Sequence, residues 1–123
     1  MILAFCLRSP EDSRALDDRF GRCAAFAFVD SESGEVRKIV ENEGRDAVDA
    51  AGTSAVQLLV NGGAAGAVAP HLGPKADEAR RRLGLRIWSQ GSHAATEEAL
   101  AAWKAGALEE SGNAPAPRGL RRA

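Results

Sequence analysis

The sequence predicts an α/β fold, a mixed sheet covered by helices, and three observations carry that prediction. Short apolar runs of strand length alternate with longer segments in which apolar residues recur at helical spacing. Glycine closes each helical segment, at Gly62-Gly63, Gly84 and Gly106. The 123 residues suffice for one domain with one core and are too few for two.

Ile2 to Leu7 is a continuous apolar run, the pattern of a central strand covered on both faces. Ser9 to Phe20 is polar, with Pro10 near its start and no sustained stripe, and reads as a long loop with at most one helical turn. Ala24 to Val29 and Glu35 to Glu41 form the arms of a hairpin around the turn residues Asp30-Ser31-Glu32-Ser33-Gly34. Its second arm sets Val36, Ile39 and Val40 among charges, as an edge strand does. Asn42 to Gly52 is a second long polar loop.

Thr53 or Ser54 is placed to cap a helix running to about Asn61, with Ala55, Val56, Leu58 and Leu59 along its apolar stripe. Ala65 to Ala69 has the small apolar residues of an interior parallel strand. Pro74 opens a second helix that turns Ala76, Ala79 and Leu83 inward and presents Arg80-Arg81-Arg82 to solvent. Leu85 to Trp88 is a short last strand, and Ala95 or Thr96 starts a third helix that passes through Trp103 to Gly106. From Glu109 onward apolar periodicity ends, so the expected division is a domain over 1–108 and a disordered tail over 109–123. Two right-handed crossovers then make the first, fourth and fifth strands parallel, with the hairpin supplying the antiparallel strand.

Sixteen Lys and Arg against seventeen Asp and Glu give a net charge of -1, which argues against a general nucleic-acid or anionic-membrane binder. No stretch approaches the roughly 20 apolar residues of a membrane span, and Met1 leads directly into a strand-like run, so a cytoplasmic location is expected. Two cysteines are too few for a disulfide framework and are expected as free thiols.

Open α/β sheets bind ligands beyond the carboxyl ends of their parallel strands. That edge collects Cys6, the turn Gly21-Arg22-Cys23, Pro70-His71-Leu72-Gly73 and the loop up to His93, so both cysteines and both histidines are expected to converge there. Cys23 follows Arg22, with Arg19 near, and adjacent positive charge favours the thiolate that binds iron or zinc. Its bland alternative is a small buried hydrophobe at a strand start, and the same holds more strongly for Cys6. His71 directly precedes a helix N-terminus, where an imidazole could ligate metal beside free amides, or simply face solvent. His93 is a weaker candidate, and Gly73-Pro74-Lys75 could turn amides and one cation toward an anion. No phosphate-binding glycine fingerprint and no Cys-x-x-Cys pair is present. A nuclease would need clustered carboxylates for two metal ions, and the first strand, ILAFCL, offers none. A non-enzymatic role is expected.

Four pieces, in this order and spacing, carry a resemblance: Asp18-Arg19-Phe20-Gly21-Arg22-Cys23, Ala51-Gly52-Thr53-Ser54-Ala55, Gly73-Pro74-Lys75-Ala76 and Thr96-Glu97-Glu98-Ala99-Leu100. Over about residues 1 to 108 the chain resembles the dinitrogenase iron-molybdenum cofactor biosynthesis family, in particular its NifX-like and NifB C-terminal-like members. The resemblance implies a ribonuclease H-like three-layer fold, with a five-stranded mixed sheet containing one antiparallel strand, and three helices. It also implies a carrier of an iron-sulfur or iron-molybdenum type cluster or its precursor, with nitrogenase cofactor assembly proteins as partners. Cofactor contacts would fall at Arg22, Cys23, His71, Gly73, Lys75 and His93, with Cys23, His71 and Cys6 as metal ligands. In the family the loop before the second helix commonly reads Gly-Asn-x-Gly-Pro-Asn-Ala; here Pro70-His71 replaces Gly-Asn and Lys75 replaces the second Asn. The alternatives are a protein-interaction or regulatory domain without metal, or a redox-thiol protein.

Overall fold

The computed structural model describes residues 1–47 and 50–112. In chain order the elements are β1 (Ile2–Ser9), β2 (Asp12–Leu16), β3 (Ala25–Asp30), β4 (Val36–Glu41), α1 (Ala51–Asn61), β5 (Gly66–Ala69), α2 (Pro74–Leu83), β6 (Arg86–Ser89) and α3 (Thr96–Lys104). The sheet runs β4-β3-β1-β5-β6, with β2 paired to β1 outside this path. Strands β1, β5 and β6 are parallel, and β3 is antiparallel to both of its neighbours, β1 and β4.

Alternation along β1 separates two cores. Ala4 and Cys6 face α1 and α2, packing with Phe26, Phe28, Val56, Leu59, Ala76 and Ala79. Leu3, Phe5 and Leu7 face the other side, where Leu16, Val68, Trp88 and Ala99 meet them under α3. The result is three layers with the sheet in the middle.

The expected elements are present, and four expectations need correction. The sheet has six strands among the described residues, because Asp12–Leu16 pairs antiparallel with the carboxyl end of β1 instead of looping. β1 pairs with β5 only through Leu3–Phe5, and β2 pairs with its further reach at Leu7 and Ser9. Helix α1 begins at Ala51, earlier than a Thr53 or Ser54 cap would place it, with Ala50 left-handed at φ 65° as its N-cap. Residues 109–111 are not a free tail: Ser89 N–H donates to the Glu109 carbonyl and Ser111 N–H to that of Ile87, so the chain runs back along β6. The remainder of that expected tail, 113–123, lies outside the described residues. Arg80 is likewise fully buried, not part of a solvated face.

Candidate functional site

Three chain segments meet at the amino ends of α1 and α2. Gly21 lies so close to α1 that a Cβ there would come within 2.8 Å of Gly52 N. Gly52 in turn lies against α2, where a Cβ would come within 2.9 Å of Ala76 Cβ. These two close approaches require glycine and draw together the turn before β3 and both helix starts. Between them is a cleft of about 540 Å³, lined by Phe20, Gly21, Arg22, Ala50–Thr53, His71 and Gly73–Ala76.

The cleft is rich in donors. Neither Ala50 nor Gly73 caps its helix with a side chain, which leaves the first-turn amides of α1 and α2 without that partner. Both helix dipoles turn their positive ends to this region, and Arg22 and Lys75 add full charges. Arg22 also pins the loop between β4 and α1, donating from Nη1 to the carbonyls of Arg45 (2.6 Å) and Ala47 (2.7 Å). Beneath it, buried Asn42 donates from Nδ2 to the Gly21 and Cys23 carbonyls, each at 3.0 Å, and so holds the turn in shape. Among the described residues no three His, Cys, Asp or Glu side chains are grouped to hold a metal ion. The donor set therefore fits an anionic group held by charge and amides better than a bare cation.

Cys6 takes the core position that its place on an apolar strand favours, while Cys23 departs from the expected ligand role. Cys23 is 0% exposed, and its thiol donates to the carbonyls of Phe20 (3.3 Å) and Ala25 (3.4 Å). Cys6 is buried beside it, and burial, reinforced by the neighbouring Cys23 thiol, pushes its pKa well above the ordinary thiol value. The cations expected to activate Cys23 are turned to other partners: Arg22 to the Arg45 and Ala47 carbonyls, and Arg19 to Asp17. Both thiols pack in the core under α1 and α2, and neither lines the cleft.

The structure thus brings together Arg22, His71, Gly73 and Lys75. It does not bring His93 to them; its imidazole lies 3.9 Å from Glu98, near the start of α3. The left-handed backbone at Ala50 and the contribution of Asn42 were not legible in the sequence. A left-handed alanine leaves no compositional signal, and Asn42 stood in what read as an undifferentiated polar loop.

The chain is 30% identical over 103 residues to an uncharacterised protein of Methanocaldococcus jannaschii, covering 82% of this chain and 86% of that one. Among solved structures it is similar to the apo form of the orange protein from Desulfovibrio gigas, with a TM-score of 0.82 and 25% identity over 90% of this chain and 92% of that one. It is also similar to a Thermotoga protein that is provisionally assigned as NifB and belongs to the DUF35 family, with a TM-score of 0.72 and 31% identity over 89% and 91% of the two chains. The sequence profile of one family, described as dinitrogenase iron-molybdenum cofactor, matches residues 1–106.

Proposed function

Because this chain belongs to the dinitrogenase iron-molybdenum cofactor family, we propose that it binds and carries an anionic iron-sulfur or iron-molybdenum type cluster, or a precursor of one, without turning it over. The observation that carries this reading is the convergence of Arg22, Lys75, His71 and two uncapped helix N-termini on one cleft. Anionic clusters present sulfur and oxygen acceptors on all sides, which amides and guanidinium or ammonium groups can meet without covalent ligation. Among the described residues that line the cleft, His71 is the one with a strongly metal-ligating side chain, and it would supply a single, exchangeable bond. Few strong ligands suit a carrier, which must release its cargo to an assembly partner, here a protein of nitrogenase cofactor assembly.

The placement of the thiols gives no support to the redox-thiol alternative. That role needs an accessible thiolate, whereas both sulfurs are sealed and burial favours the protonated form of Cys6.

Anaerobic incubation with preformed cluster, followed by desalting, iron analysis and visible absorption, tests the proposal. Wild-type protein is expected to retain iron, and Arg22→Ala combined with Lys75→Ala to lose most of it. Cys23→Ser is expected to retain iron close to the wild-type level, because the buried sulfur does not line the cleft. Equal retention by the Arg22/Lys75 variant, or no retention by any form, would sink the reading.

A further inference from the structure

β6 ends the sheet, and an unpaired edge of this kind is a template for another strand. In this molecule the template is occupied by the chain itself. Residues 109–111 run antiparallel along it, with Ser89 N–H donating to Glu109 O at 2.8 Å, Ser111 N–H to Ile87 O at 2.9 Å, and Glu110 opposite Trp88. Side chains give this pairing a specific complement. Arg86 grips Glu110 in a two-pronged pair, Nε to Oε2 at 2.8 Å and Nη2 to Oε1 at 3.0 Å, while its guanidinium carbon lies 4.7 Å over the Trp88 ring. Buried Arg80 donates from Nη2 to the Gly112 carbonyl.

The anchorage is short. After α3 the chain passes through the exposed residues Ala105 to Ala107, with Gly106 left-handed at φ 71°, and only half-buried Leu108 ties it to the core before the pairing begins. The segment also does more than cover an edge. Glu109–Gly112 form one wall of a cavity of about 630 Å³ whose other walls include His71, Pro74, Asp77 and Arg81. His71 and Pro74 line the candidate cleft as well, so the strap stands beside the site.

We propose that the β6 edge is a strand-addition site for an extended acidic segment of a partner protein, and that residues 109–112 are its resident, displaceable occupant. An incoming strand that places a carboxylate on Arg86 makes the same backbone bonds and the same ion pair. In taking them over it lifts the strap and opens the cavity beside the cleft. Which cargo the cleft holds does not enter this inference.

The test uses the full chain and a fluorescent peptide of sequence Ala-Leu-Glu-Glu-Ser-Gly. In Glu110→Arg the strap carries the wrong charge against Arg86, while β6 and Arg86 are intact. That variant is expected to bind the peptide about tenfold or more tightly than wild type, by fluorescence anisotropy. A peptide with its second Glu replaced by Arg should bind neither protein. Restoring the latch with inverted charges, Arg86→Glu with Glu110→Arg, should return acidic-peptide binding to the wild-type level or below. Amide exchange at Ser89 and Ser111 should accelerate about fivefold or more in Glu110→Arg while α1 is unchanged. Equal peptide affinity for wild type and Glu110→Arg, or exchange at Ser89 and Ser111 unmoved by the substitution, would make the strap a fixed part of the sheet. A wild-type dimer that forms with concentration and is abolished by Glu110→Arg would assign the edge to exchange between copies and overturn the partner reading.

Discussion

Gly52 lies at the centre of the site without carrying any of its chemistry. Its missing Cβ lets the start of α1 lie on Ala76 of α2, and Gly21 lies on Gly52 by the same means. A methyl at Gly52 would meet another Cβ, which cannot swing aside as the end of a flexible chain can. Gly52→Ala is therefore expected to cost about 1–3 kcal/mol in urea denaturation and to weaken cluster retention by parting the helix starts. Gly73→Ala, where a Cβ meets nothing within 4 Å, should cost less than about 1 kcal/mol, through capping alone. Asn42 is the second such residue, since its amide satisfies two backbone carbonyls of the turn that holds Cys23. Replacing it with Leu leaves those acceptors bare in a buried place, a cost of about 1–3 kcal/mol. With the turn loosened, Cys23 and Cys6 should react faster with a disulfide dye under native conditions than in wild type, where labelling must await local opening. Wild-type thiols that label as fast as a free thiol would contradict their burial. The residue types of the site were legible in the sequence, because Arg, Lys, His and Gly in loops before helices announce themselves. Burial of Cys6 was legible from its apolar strand, but that of Cys23 was not, since the same Cys at a strand start serves as a ligand or a core residue, and only packing decides which.

At the scale of elements, what the sequence revealed tracks how strongly each segment is patterned. β1 and β3 are apolar up to their polar last residues, β5 is small and apolar throughout, and α2 has proline at its start and glycine at its end, so each was visible to within a residue or two. β2 was missed because Asp-Ser-Arg-Ala-Leu holds one buried residue, and what makes it a strand is a partner, the far end of β1, that no local pattern displays. The strap was missed for the same reason: Glu109 to Ser111 owe their conformation to β6 and to Arg86. That dependence gives the strap a pH response. In the closed form the Arg86 guanidinium holds the Glu110 carboxyl below its ordinary 4.5. The charged groups acting on it, Arg86 and Arg80, are guanidiniums that keep their charge across the acid range. A depressed folded-state pKa stabilises closure fully above the ordinary value and less as pH falls through the depressed one. Amide exchange at Ser89 and Ser111, corrected for its intrinsic pH dependence, should therefore show progressive release below about pH 4.5, and Glu110→Gln should remove the step.

Taken as a whole molecule, the chain carries a net charge of only -1, so its overall field neither draws in nor repels an anionic cluster over long distances. Retention has to come from the few charges in the cleft, Arg22 and Lys75, together with the helix amides around them. Charges that are open to water are screened by salt, with a Debye length of about 10 Å at 0.1 M and about 3 Å at 1 M. A covalent thiolate bond would be indifferent to such screening. The two ways of holding a cluster therefore separate in one measurement, the iron retained through desalting as sodium chloride is raised from about 0.05 to 0.5 M. Charge and amide holding predicts a loss of several-fold across that range, steeper in wild type than in Lys75→Ala, which has one charge fewer to screen. A flat profile that persists in His71→Ala would mean that the buried thiols open to ligate the cluster after all. In that case Cys23→Ser, not Lys75→Ala, should abolish retention, and the turn held by Asn42 would have to move for loading to occur.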